Sequence, residues 1–188
     1  MEQGVLQGSR GVTELRIAHT AAVDAATLAA AGALLVDVFE GDFAADDWEH
    51  ALGGVHALLW EDGELIGHAS VVQRRLLHGG RALRAGYVEG VGVRADRRRQ
   101  GHGATMMEAL EGVIRSAYDL GALGSTDEAT AFYRARGWKH WRGRCSALTP
   151  TGIERTPGEE GWIFVLQCAV PLDLLGELTC DWRDGDVW

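Results

Sequence analysis

Val91-Gly-Val-Arg-Ala-Asp-Arg-Arg-Arg-Gln-Gly-His-Gly103 runs from the end of an extended stretch into a long helical one, and the fold turns on how it is read. A strand that feeds a glycine-bearing turn and then a helix N-terminus leaves several backbone N–H groups without intrahelical partners, directed into the turn. A phosphate is the natural occupant of such a place. Gly101 and Gly103 let the backbone approach an anion with no Cβ in the way, and Arg98 and Arg99 add positive charge outside. The spacing Arg98-x-x-Gly101-x-Gly103 is neither the Gly-x-Gly-x-x-Gly of a dinucleotide fold nor a phosphate loop ending in Gly-Lys-Ser/Thr.

Downstream, residues 101–118 place Met106, Leu110, Val113 and Ala117 at steps of three and four, the spacing of one buried helical stripe. Upstream lie three extended runs, 55–60, 65–77 and 82–93, separated by turns at Asp62-Gly63 and Gly79-Gly80, which read as three antiparallel strands. Before them, Glu14 to Thr20 alternates as a strand, and Asp24 is placed to cap an Ala- and Leu-rich helix ending near Phe39-Glu40-Gly41. Beyond the central helix follow a short strand at 120–123, a short helix at 127–136, and strands at 138–148 and 162–170. Residues 150–161, with two of the three prolines, read as a surface loop. The order predicts an α/β (α+β) fold: a mixed, mostly antiparallel sheet with helices on both faces.

The chain has 188 residues, enough for one core, and residues 14–188 are expected to form a single domain after a flexible extension over 1–13. The longest apolar stretch, 25–39, is interrupted by Asp37, and no basic segment leads into an apolar one near the start. The chain is therefore expected to be cytoplasmic and free of membrane. Cys145, Cys168 and Cys180 show neither a disulfide framework nor ligand spacing, so no metal is expected. A net charge of −9 disfavours nucleic acid and suits a cationic partner. Its distribution is uneven. Asp37, Glu40, Asp42, Asp46, Asp47 and Glu49 follow one another with no Lys or Arg among them, and the last seventeen residues set five acids against Arg183 alone. The arginines at 94 and 97–99 crowd together mid-chain, so one molecule is equipped to meet both an anion and a cation.

Arg98-x-x-Gly101-x-Gly103 resembles the pyrophosphate-binding signature of the GNAT acetyltransferases, and Ala131-Phe-Tyr-Arg-Ala-Arg-Gly-Trp138 resembles a second element of that superfamily. The resemblance implies acetyl-CoA as cosubstrate. Its pyrophosphate would lie on Arg98, Arg99, Gln100, Gly101, His102 and Gly103, its pantetheine arm along Val91, Gly92 and Val93, and Ser125 and Tyr133 would also bind it. Tyr133 would give a proton to the departing thiolate. Three further segments, 41–50, 86–91 and 180–188, are similar to those of aminoglycoside 2′-N-acetyltransferases, the similarity running from about residue 14 to the end. By that resemblance Asp42, Asp47, Glu89, Gly90, Gly124, Glu159, Asp186 and Trp188 contact a polycationic aminoglycoside. Where relatives often carry a serine, this chain has Gly124, which puts substrate preference in question. Late strands in the superfamily often build homodimers.

The chemistry so implied is direct attack of a neutral amine on the thioester with both reactants bound, proximity supplying most of the rate advantage. Glu89, through an ordered water, and the Trp188 carboxylate are both candidate proton acceptors, and backbone N–H groups near Val91 can polarise the thioester oxygen. Two rival readings stay open: an acetyltransferase for another polyamine or metabolite amine, and a non-catalytic module that binds CoA or the drug.

Overall fold

The structure, a computed structural model, describes residues 12–188. The extension expected over 1–13 thus lies outside the described residues save for its last two. Strand β1 (Thr13–His19) leads to α1 (Ala25–Val38) and α2 (Ala45–Ala51). The meander β2 (Val55–Glu61), β3 (Glu64–His78) and β4 (Arg81–Val93) follows, then α3 (His102–Ala117), β5 (Leu120–Gly124) and α4 (Asp127–Ala135). The chain closes with β6 (Lys139–His140), β7 (Cys145–Thr149), β8 (Gly152–Arg155), β9 (Ile163–Gln167) and β10 (Leu178–Cys180). Among the described residues no helix is long and apolar enough to cross a membrane.

All ten strands join one mixed sheet. β3 is its hub: β4 runs along one edge, while the other edge carries β2 over Glu64–Val71 and β10 at Leu76 and Leu77. β10 in turn pairs parallel with β7, and β7 with β8, so these strands form an arm on the far half of β3. On the other side β4 pairs parallel with β5, and then come β9 and β6.

Three local choices put the site in place. Asp24 accepts the Thr27 N–H at 2.8 Å and starts α1, the cap the sequence implies. Gly101 heads α3 with φ +88°, a left-handed conformation that costs a residue with a Cβ about 1–2 kcal/mol. The third is a slip in the β3–β4 register between His68 and Ser70, where Ala69 faces both Gly90 and Val91. Leu35 and Val38 of α1 lie where Cβ atoms on Gly90 and Gly92 would point, whereas Met106 of α3 packs over Gly67, so the two helices cover opposite faces of the sheet.

Four details differ from the sequence reading. The buried stripe of α3 is Met106, Met107, Leu110 and Ile114 rather than one reaching Ala117, which is exposed; a period of 3.6 drifts off a strict three-four count. The acidic run at 45–51 is a helix. The segment 138–148 is not one strand: Trp141 N–H bonds to Ile163 O at 2.8 Å, then Arg142 and Gly143 turn to Leu174 O at 2.9 Å, so the run serves two neighbours. The loop at 150–161 contains β8 and a short 3₁₀ turn at Pro157–Glu159.

Glu111, buried in α3, takes both guanidinium contacts of Arg136 at 2.8 and 3.0 Å and the Trp138 indole N–H at 2.9 Å, pinning the end of α4 against α3. Replacing Glu111 with Ala strips a poorly hydrated cation of its acceptor, and the expected cost in urea unfolding is about 3 kcal/mol. A loss below about 0.5 kcal/mol, the range of ordinary surface changes, contradicts that role.

Candidate active site

β4 and β5 pair only from Ala85 to Tyr87 against Leu120 to Ala122. Beyond those residues the strands part, and two adjoining hollows open between them.

The first, of about 850 Å³, is floored by Val91, Gly92 and Val93 and flanked by Arg98, Arg99, Gly101, His102 and Gly103, with Phe39, Ala129 and Phe132 opposite. It combines the N-terminus of a sixteen-residue helix with arginines, so its field favours an anion. The Arg98 guanidinium also donates to Val38 O at 3.1 Å, tying the turn to the end of α1. Gln100 is exposed and lines neither hollow. The buried Nε2 of His102 has no protein partner among the described residues.

The second hollow, of about 340 Å³, brings together Glu89, Gly90, Gly124, Ser125, Tyr133, Glu159, Asp186 and Trp188, residues drawn from across the chain. Phe39, Val91, Thr126 and Ala129 border both hollows, so occupants of the two would meet at Val91. Asp42 and Asp47 line neither. Asp42 is exposed just after α1, and the Asp47 carboxylate accepts the Ala44 N–H at 2.7 Å, capping α2.

Two residues, Tyr87 in the lining of the second hollow and Arg183 just behind it, escaped the sequence reading. Arg183 makes an ion pair with Glu89, with both side chains 14% exposed, and also donates to the main-chain oxygens of Asp186 and Trp188. Tyr87 lies two residues before Glu89, and its ring faces the guanidinium groups of Arg74 at 4.8 Å and Arg183 at 5.5 Å. Both left a trace. Arg183 is the one cation in an acidic tail, and period two along β4 sets Tyr87 on the side of Glu89.

Burial pushes the Glu89 carboxyl up from its ordinary value, the Arg183 guanidinium opposes this, and Asp186 adds a smaller upward push. Glu159 is also raised, by burial first and then by Asp186. Tyr133 is pushed up to about 12 by burial alone, so its phenol holds its proton at neutral pH.

The tail is anchored. Arg74 donates to Val187 O at 2.7 Å and to Asp181 O at 2.9 Å, and His50 of α2 donates to Asp184 O at 2.8 Å. The Trp188 N–H bonds the Asp186 carboxylate at 2.9 Å, and its indole N–H bonds Thr156 Oγ1 at 2.8 Å. Trp188 is 4% exposed and belongs to a buried cluster that takes in residues of β3, β4, β5, β7, β9 and β10.

An anion groove on a splayed β4–β5 pair, running into an acidic hollow at a β-bulge, defines an acetyltransferase of the GNAT class, and the chain belongs to that family: its Acetyltransferase (GNAT) domain matches residues 22–141. Solved structures agree on the fold. Escherichia coli YhbS, a GNAT family N-acetyltransferase in complex with CoA, superposes with a TM-score of 0.65 at 17% identity, over 91% of this chain and 89% of that one. Escherichia coli ElaA gives 0.58 at 16% identity, over 83% of this chain and all of that one. Much nearer in sequence is the aminoglycoside 2′-N-acetyltransferase of Mycolicibacterium fortuitum, 51% identical over 177 residues, 92% of this chain and 91% of the relative.

Removing the Trp188 side chain leaves a cavity against the second hollow. Trp188→Ala is expected to lose about 3 kcal/mol or more of unfolding free energy. Equilibrium denaturation checks it, and a change under about 1 kcal/mol means that the indole packs less tightly than its burial indicates.

Proposed function

We propose that this chain transfers the acetyl group of acetyl-CoA to the 2′-amine of aminoglycosides, with both substrates bound at once, and so gives resistance to them. The observation that carries the reading is the meeting, at Val91, of an anion groove with a hollow lined by carboxylates. The 51% identical relative supports the substrate class and the position of the amine.

In this reading residues 14–188 act as one catalytic domain in the cytoplasm. The α3 N-terminus (Gly101, His102, Gly103) with Arg98, Arg99 and Gln100 takes the pyrophosphate. The main chain of Val91 to Val93 takes the pantetheine arm, beside Ser125 and Tyr133. Glu89, Glu159 and Asp186, with Asp42 and Asp47 further out, receive the substrate ammonium groups, and Gly90 and Gly124 offer backbone acceptors. An exposed pair contributes only about 0–1 kcal/mol, so affinity comes from several carboxylates acting together in a cleft. The amine nitrogen forms the new C–N bond as the C–S bond breaks; its proton passes through water to Glu89, and Tyr133 protonates the leaving thiolate. Arg183 opposes the upward push that burial gives the Glu89 carboxyl. Ile153 on the edge strand β8 and Leu148 beside it, 60% and 44% exposed, support pairing of two copies along that edge.

Mass spectrometry after incubation with acetyl-CoA tests the reaction. Tobramycin and gentamicin are expected to gain one acetyl group, and kanamycin A and amikacin, which carry a hydroxyl at C2′, none. Comparable turnover of amikacin overturns the 2′ assignment, and an unmodified tobramycin overturns the aminoglycoside reading.

A pH profile tests the proton acceptor. Since burial raises the Glu89 carboxyl and Arg183 is the main group holding it down, Arg183→Ala raises it further. A carboxylate must be present to accept the proton, so the acid limb of kcat/KM moves to higher pH, by about one unit. An unmoved limb, or a move to lower pH, removes Glu89 from that role.

A further inference from the structure

A buried chain of hydrogen bonds crosses the sheet beneath α1 and α2 and ends on the bulge. Gly90 has φ +54°, and its carbonyl is 2.8 Å from Nδ1 of His68. Nε2 of His68 lies 2.9 Å from Nδ1 of His56 on β2, and Nε2 of His56 lies 2.8 Å from Thr20 Oγ1, just after β1. Thr20 Oγ1 also accepts the Gly53 N–H at 2.9 Å. Both histidines are fully buried, and the Trp48 ring of α2 lies against both, at 5.6 Å from His68 and 6.4 Å from His56. Neither lines the first or second hollow.

Bond by bond, the protons in this chain have one arrangement. A carbonyl oxygen only accepts, so Nδ1 of His68 carries the hydrogen, and a neutral ring then leaves Nε2 as a lone pair. That lone pair requires the hydrogen of His56 on Nδ1, which makes its Nε2 an acceptor for the Thr20 hydroxyl. The hydroxyl is then committed, and its longer approach to Gly54 O, 3.2 Å, goes without the hydrogen. The arrangement is that of neutral rings; a proton added to either would turn the Thr20 hydroxyl to Gly54 O and make His56 Nε2 a donor. Burial holds both rings neutral, lowering His56 and taking His68 down to about 4. In water an unconstrained imidazole favours the hydrogen on Nε2; here both rings must hold it on Nδ1.

The carbonyl at the end of the chain belongs to the peptide unit whose N–H is that of Val91. Because that unit is planar and trans, a grip on Gly90 O also fixes the direction in which the Val91 N–H leaves, on the opposite side. Val91 is where the two hollows meet, and Glu89 sits on the other flank of Gly90. We propose that His68, braced at its Nε2 by His56, is a positioning residue for acetyl transfer: it holds the Gly90 carbonyl and thereby aims the Val91 N–H and fixes the stem of Glu89. The purpose given to that N–H rests on the acetyltransferase reading above.

The test has two arms. In protein labelled with ¹⁵N-histidine, long-range proton–nitrogen correlation is expected to show two rings with the hydrogen on Nδ1 at neutral pH, that of His68 unchanged down to about pH 5.5 and still on Nδ1 in His56→Leu, which removes the other ring. Nε2–H tautomers, or ordinary titration of His68, overturn the proposal. In the kinetic arm, His68→Leu lowers kcat about tenfold or more while the acetyl-CoA KM changes little, because misdirection of one N–H acts on the transition state. His68→Asn, whose Nδ2 stands where Nδ1 stood, recovers most of the loss, and His56→Leu, which keeps the Gly90 contact but removes the bond that braces the ring at Nε2, falls between. A kcat for His68→Leu near that of the parent, or an Asn variant no better than Leu, overturns it. If His68→Leu does not fold, His56→Leu and His68→Asn carry this arm with the same criteria. The tautomer measurement needs no substrate, so its result is independent of which amine the parent acetylates.

Discussion

Three residue pairs of parallel ladder join β4 to β5, and the two strands then separate, because β4 continues to Val93 with a bulge at Gly90 and Val91 while β5 ends at Gly124. Every part of the site depends on that separation. A sheet that stayed zipped would satisfy its backbone groups internally and have none to offer a ligand. Parting the strands leaves main-chain donors and acceptors along Val91 to Val93, and it sets the α3 N-terminus at one end of the gap and the acidic residues at the other.

The two ends have opposite fields, and little protein separates them. Val91 borders both hollows, so a negatively charged group in the groove and a positively charged one in the acidic hollow approach the same few ångströms of backbone. Arg183 is the exception to this partition, a cation seated among Glu89 and the tail carbonyls. Burial pushes the enclosed Glu89 carboxyl up, and the Arg183 guanidinium is the largest force opposing that push. Charge at this site is therefore set by residues about ninety positions apart that meet only in the folded chain.

Much of the frame was legible. The turns at Asp62-Gly63 and Gly79-Gly80, the cap at Asp24 and the glycine turn into α3 each carry a local physical cause, and each stands where the sequence places it. α2 was not legible because Ala44, at its start, has no side chain that can cap, and its acids were read for the charge they offer a cationic partner rather than as part of a helix. β10 was missed because three residues hold too little alternation to show a period, and its position is set by β3 and β7. Of the site residues, those near the glycine turn announce themselves locally. His56 and His68 do not: twelve positions apart and alone on apolar runs, they meet because the β2–β3 register sets His68 across from Leu58 and His56 across from Ser70.

The arm made of β7, β8 and β10 joins the hub strand through only two residue pairs, Leu76 and Leu77 against Cys180 and Thr179. So short a ladder is the natural place for a sub-global opening, in which part of the molecule exchanges its amide hydrogens while the rest stays protected. The floor of the anion groove lies on β4, deep in the meander, whereas Glu159, Asp186 and Trp188 of the acidic hollow follow this arm or are packed on it. The two hollows thus differ in what carries them: the first lies on β4 within the meander, and the second shares β4 but completes its wall with residues of the arm and of a tail tied back to Arg74 and His50.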